Sequence, residues 1–100
     1  MRARFLKPAE AEVDEAVTYF DEQRLGLGDR FEQDLLATVS FITAHPHSGK
    51  PISELVRKFP LRTFKYNLIY ALDEEAIIII AVAHHRRRPG YWHGRLVLLR

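Results

Sequence analysis

The sequence predicts an α+β domain: a short N-terminal strand, an antiparallel helical hairpin, and three further strands in a sheet that the hairpin covers. Three observations lead there. Apolar residues recur at helical spacing in two successive stretches, Val13–Phe20 and Phe31–Ile42. Gly26 and Gly28 interrupt the pattern between them. Beyond residue 55 the period changes to short runs rich in aromatic and β-branched residues, the composition of strands.

Arg2–Leu6 is a brief strand candidate that gives way at Pro8, a residue tolerated in a first helical turn because its missing N–H would have no partner there. Glu10, Glu12, Asp14 and Glu15 crowd the early turns, where the positive end of the helix dipole favours them. Val13, Ala16, Val17 and Phe20 share one face, and the helix is expected to run to about Arg24. Asp29 is the expected N-cap of the second helix. Phe31, Leu35, Val39 and Ile42 form its core stripe, and Pro46 closes it. The short Leu25–Gly28 link makes the two helices an antiparallel pair. His45–Ser53 holds two prolines and a glycine and reads as a loop. Strands are expected at Val56–Phe59, ended by Pro60, and at Phe64–Leu72. A charged turn, Asp73–Glu75, leads to a third at Ala76–Ala83. Four consecutive isoleucines make both faces of that last strand apolar, so it belongs in the middle of the sheet. The helices cover one face, and the other is left for a partner or for the tail His84–Arg100.

One hundred residues are expected to form one domain, 1–100. There are no cysteines, which excludes a disulfide framework and a thiolate zinc site. The N-terminal stretch has no apolar signal region and the longest apolar run is too short to span a bilayer, so a cytoplasmic protein with no membrane association is expected. Charge is unevenly divided. Residues 1–50 carry six Lys/Arg against nine Asp/Glu, whereas residues 51–100 carry nine against four. After Glu75 no acidic residue occurs, while Arg86, Arg87, Arg88, Arg95 and Arg100 follow. A basic half of this kind suits an anionic partner, either nucleic acid or an acidic protein segment.

Three stretches carry a family resemblance: YFDEQRLGLGDRFEQDL (Tyr19–Leu35), the strand pair from Val56-Arg57 through FKYNLIYAL (Phe64–Leu72), and IIIIAVAHHRRRPGYWHGR (Ile77–Arg95). The last is the most specific, a strand ending in Ala-Val-Ala-His, an arginine cluster, then Pro-Gly-Tyr-Trp. Together they resemble the RelE/ParE toxin superfamily, with the ParE-like branch suggested by the long hairpin and the Arg-Pro-x-Tyr-Trp tail. Lys65 departs from the family, which often has proline there, and alters only a turn preference. The resemblance implies a mostly antiparallel sheet in the order β-α-α-β-β-β. It also implies the toxin role in a type II toxin–antitoxin pair, with a cognate acidic, ParD-like antitoxin wrapping the surface. Operator DNA would be contacted only through the antitoxin complex. DNA gyrase is the target that the ParE branch implies, and ribosome-bound mRNA, cut as by a RelE-like endoribonuclease, is the alternative.

RNA cleavage needs a group to activate the 2′-OH, cations around the phosphate and an acid for the leaving oxygen. Arg57, Arg62, His84, His85, Arg87 and Tyr91 are the available candidates, with Arg57, Arg62, His85, Arg87 and Tyr91 as the set the nuclease alternative would use. No acid–base pair is evident among them, and the lysine-rich loop expected of a RelE nuclease is missing, so an inhibitor without catalytic residues is the favoured reading. Antitoxin or target binding is expected at Arg57, Arg62, Arg86, Arg87, Arg88, Tyr91 and Trp92. Tyr91 and Trp92 flanked by arginines suit stacking on bases or aromatic groups. For Trp92 the favoured reading is an anchor that pins the tail to the sheet or hairpin. No metal site or cofactor is expected: His45-x-His47, His84-His85 and His93 lack the spacing and the companion ligands of a metal centre.

Overall fold

A computed structural model of the chain describes residues 1–99. Strand β1 (Arg2–Phe5) leads into helix α1 (Lys7–Gln23), which turns back into α2 (Leu27–Ala44). Strands β2 (Lys50–Pro51), β3 (Val56–Pro60), β4 (Tyr66–Leu72) and β5 (Ala76–His84) follow, then a 3₁₀ segment, His93–Leu99. The strands form one sheet in the order β1-β5-β4-β3-β2, with β1 parallel to β5 and the other pairs antiparallel. The α+β fold class and the mostly antiparallel sheet are as expected. The addition is β2: inside the predicted loop His45–Ser53, Lys50 and Pro51 pair with Lys58 and Arg57. Proline is admissible there because β2 is an edge strand, whose outward side forms no ladder bond.

The helical hairpin closes tightly for a local reason. A Cβ on Gly28 would sit 2.6 Å from the Val17 carbonyl oxygen, so only glycine lets α2 start this near α1. The start of α2 differs from expectation. The helix begins at Leu27, with Gly26 at φ +89° as its cap, and Asp29 lies inside the first turn rather than before it. The capping carboxylate comes from the other helix: Asp21 accepts the Gly28 N–H at 2.8 Å. A cap supplied seven residues upstream leaves no local signature, whereas Asp29 in the first turn still meets the positive end of the dipole.

Phe31, Leu35 and Ile42 are buried and Val39 partly so, as the stripe predicted. They meet Leu68, Tyr70, Ile77, Ile79 and Val82 of the sheet. The opposite sheet face carries a second cluster, in which Ile69, Ile78, Ile80, Ala81 and Ala83 pack under Trp92, Leu96 and Leu99. The face left open in the sequence reading is therefore covered by the tail. β5 serves both faces, but not by simple alternation. Ile69 pairs with Ala81 and Tyr70 with Ile79, so Ile80 is an inserted residue, a β-bulge. The bulge shifts the phase: Ile77 and Ile79 face the helices before it, and Val82 after it.

Two polar anchors hold the connections. The Asp34 carboxylate on α2 accepts N–H bonds from Arg62, Thr63 and Phe64 at 3.2, 2.9 and 3.0 Å. These bonds draw residues 62–64 into a turn, so β4 begins at Tyr66 rather than at the predicted Phe64. The buried Tyr70 hydroxyl donates to the Pro46 carbonyl and accepts the Gly49 N–H, fixing the loop after α2.

Candidate functional site

β1 stops at Phe5, opposite Ile79, and leaves the far half of β5 with no neighbour on that side. Its backbone groups there need other partners. Glu12 of α1 accepts the Val82 N–H at 2.9 Å, and Arg95 donates to the Ile80 carbonyl at 3.1 Å. The same two side chains form a two-pronged ion pair, with Arg95 nitrogens 2.8 and 2.9 Å from the Glu12 oxygens. Their side chains are only 11% and 19% exposed, for Glu12 and Arg95 respectively, so water screens the pair little. The Tyr91 hydroxyl also donates to Glu12, at 2.6 Å. Burial, and then this hydrogen bond, raise the Tyr91 phenol above its ordinary range.

This node fixes the path of the tail. Beyond His84 the chain makes a tight turn, Trp92 enters the second core cluster at 5% exposure, and the 3₁₀ segment follows. Trp92 is thus an anchor, and its indole ring is not available for stacking on a partner's bases. The Arg87 guanidinium lies 3.8 Å above the Tyr91 ring, a cation–π contact that holds it in place. Arg86 and Arg88 are exposed beside it. Among the described residues the Arg95–Glu12 pair is the only ion pair, so Arg86, Arg87 and Arg88 form no salt bridge, although Arg87 shares a depression with Glu12 and Glu15.

The candidate residues are only partly gathered. His84, His85, Arg87, Arg88, Tyr91 and Trp92 line one cleft of about 380 Å³ between the tail and the sheet. Arg86 is adjacent in the turn but does not line it. Arg57 is engaged elsewhere, with Nη1 donating to the His47 and Gly49 carbonyls at 3.0 and 2.8 Å. Arg62 lies near Asp34, Phe41 and Phe59, along a separate depression. Of the nuclease set, His85, Arg87 and Tyr91 therefore share the cleft, while Arg57 and Arg62 do not. Tyr91, with its proton held by Glu12 and its phenol shifted upward, is a poor general base at neutral pH.

Sequence reasoning missed Glu12 and Arg95, reading Glu12 as one of several acids in an early helical turn. A signal existed. Glu12 stands three residues after Ala9 and four before Ala16, both buried, so it falls on an inward face where a carboxylate requires partners.

A helical hairpin covers one face of this sheet, and a basic tail is folded on the other. A family model described as the ParE toxin of the type II toxin–antitoxin system parDE matches residues 3–89. The chain belongs to that family, and membership implies an antitoxin partner. Its fold is similar to a chain from the chromosomal ParDE toxin–antitoxin system of P. aeruginosa, with a TM-score of 0.74 at 16% identity, covering 84% of this chain and 95% of that one. No curated protein is significantly similar in sequence. Among the described residues no helix is long and apolar enough to cross a membrane.

Proposed function

We propose that this chain arrests growth by binding DNA gyrase, without catalysis, as a single cytoplasmic domain over residues 1–100. An acidic antitoxin neutralises it by covering Arg86, Arg87, Arg88 and Tyr91, and operator DNA is met only through that complex. The observation that carries this reading is the arginine cluster, exposed, in no salt bridge among the described residues and held on a fixed turn. Such a surface binds an anionic protein segment with little ordering cost. The scattering of Arg57 and Arg62 and the engaged Tyr91 hydroxyl support inhibition over RNA cleavage.

The test adds the purified protein to gyrase and follows supercoiling of relaxed plasmid, alongside primer extension on messages from induced cells. Supercoiling is expected to fall as the protein is added, with messages intact. Undisturbed supercoiling at large excess removes the gyrase reading. New codon-linked mRNA ends that vanish in Arg87→Ala would establish the nuclease instead.

A further inference from the structure

β1, α1 and α2 leave an apolar groove between them, about 390 Å³ in volume. Half-buried Phe5 and Val13 and buried Leu35 give it a floor, and Leu36 stands beside them 56% exposed. Glu10 and Asp14 of α1 and Glu32 of α2, all exposed, complete the lining, and no cation is part of it. None of these three carboxylates is in a salt bridge among the described residues. Glu10 and Asp14 are four residues apart on α1, so their like charges are neighbours on the helix surface and repel.

The charge of this groove turns away acidic segments and nucleic acid alike. What fits is a long side chain with an apolar stem and a cationic head, the stem covering the floor while the head meets the carboxylates. Arginine adds a planar fork that can engage a carboxylate through two hydrogen bonds. The chain itself presents such side chains: Arg86 and Arg88 are exposed on the turn after β5 and form no salt bridge among the described residues. They do not reach the groove of their own molecule, since no residue beyond Leu36 lines it. The formal net charge of the chain is only +2, so repulsion between whole molecules does little to keep copies apart.

We propose that the hairpin groove receives the arginine turn of a second copy, joining molecules head to tail. The stems of Arg86 and Arg88 cover the apolar floor beside Leu36, and their guanidinium groups offset the charges of Glu10, Asp14 and Glu32. The two surfaces differ, so a pair still has one free groove and one free turn. Association therefore continues past the pair unless the rotation closes a ring. An antitoxin over the same arginines would compete with this contact, but self-association does not depend on it. Nor does it depend on the gyrase reading: supercoiling tests that one, and the mass of the purified chain alone tests this one.

The experiment is sedimentation equilibrium of the purified protein up to about 1 mM, at about 0.05 and 0.5 M salt. The weight-average mass is expected to rise with concentration at low salt and to fall back toward the monomer at high salt. Two variants, each folded by circular dichroism, separate the surfaces. Asp14→Lys with Leu36→Lys disables the groove, and Arg86→Ala with Arg88→Ala disables the turn. Each alone is expected to associate at least about tenfold more weakly than the wild type, on the scale of one lost charge-assisted contact. An equimolar mixture of the two is expected to form pairs and nothing larger, because it holds one working turn for each working groove. A wild type that stays monomeric at low salt overturns the proposal. So does a variant that associates as tightly as the wild type, or a mixture that stays monomeric or grows beyond pairs.

Discussion

Four donors converge on the Glu12 carboxylate: the Val82 amide, the Tyr91 hydroxyl and two Arg95 nitrogens. Removing one member of a largely buried pair leaves the other charged and unpartnered, which costs more than the pair contributes. Arg95→Ala is expected to destabilise the protein by about 2–4 kcal/mol, near the 3–5 kcal/mol of fully buried pairs and reduced by the residual exposure. The paired change to Glu12→Gln and Arg95→Leu should recover part of this, since no charge is then stranded. Chemical denaturation of all three variants checks the ordering, and equal losses in single and double variants would contradict it. Tyr91 adds a pH dependence of definite sign. Its folded pKa is raised by burial and by Glu12, so its contribution is complete below the unfolded tyrosine pKa, about 10, and is lost as pH climbs above that. The stability difference between the wild type and Tyr91→Phe should be flat from pH 6 to 9 and shrink beyond about pH 10. A difference that is unchanged up to pH 11, or that shrinks below pH 9, would show that Glu12 does not hold the phenol proton.

At the scale of elements, the tail is a fitted cover whose seat depends on Trp92. The indole is buried in the cluster that also holds Ile69, Ala81 and Ala83. Trp92→Ala should cost about 3–5 kcal/mol, the range for emptying a buried large aromatic site. It should also expose the second sheet face, read as faster amide exchange in β4 and β5 with α1 and α2 protected. Loss of protection in the helices to the same degree would mean that the two faces unfold as one unit. The helices were legible because each carries an apolar period, and the four longer strands because aromatic, β-branched or wholly apolar runs stand between turn residues and prolines. β2 was not, since two residues bear no period, and neither was the bulge at Ile80. In AIIIIAVA every residue is apolar, so a shift of phase changes no visible alternation. The tail cleft was half legible for a related reason. Clustered arginines and aromatics advertise themselves, whereas Lys58, Asn67 and Glu12 enter only through strand register and helix phase.

For the whole molecule, the division of charge becomes spatial. The acidic residues of the first half lie mainly on the hairpin, and the basic tail is held against the opposite face of the sheet. Glu12 alone bridges them, and its charge is taken up by Arg95. The tail cations Arg86, Arg87 and Arg88 form no salt bridge among the described residues and so project a positive field outward from the turn. Such a field acts chiefly on the rate of encounter with an anionic partner and little on the stability of the fold. Reversing the two exposed flanking charges, Arg86→Glu with Arg88→Glu, separates these effects. Both side chains are exposed, so the melting temperature should move little, in keeping with surface changes of about 0.5 kcal/mol or less. Association with an acidic antitoxin, measured by stopped flow, should slow by an order of magnitude or more at low salt. The gap between the two proteins should narrow as ionic strength rises, because screening removes the steering the wild type enjoys. A variant that melts far below the wild type would place these arginines in the fold's own support. One that associates at the wild-type rate at low salt would remove the arginine turn from the docking surface.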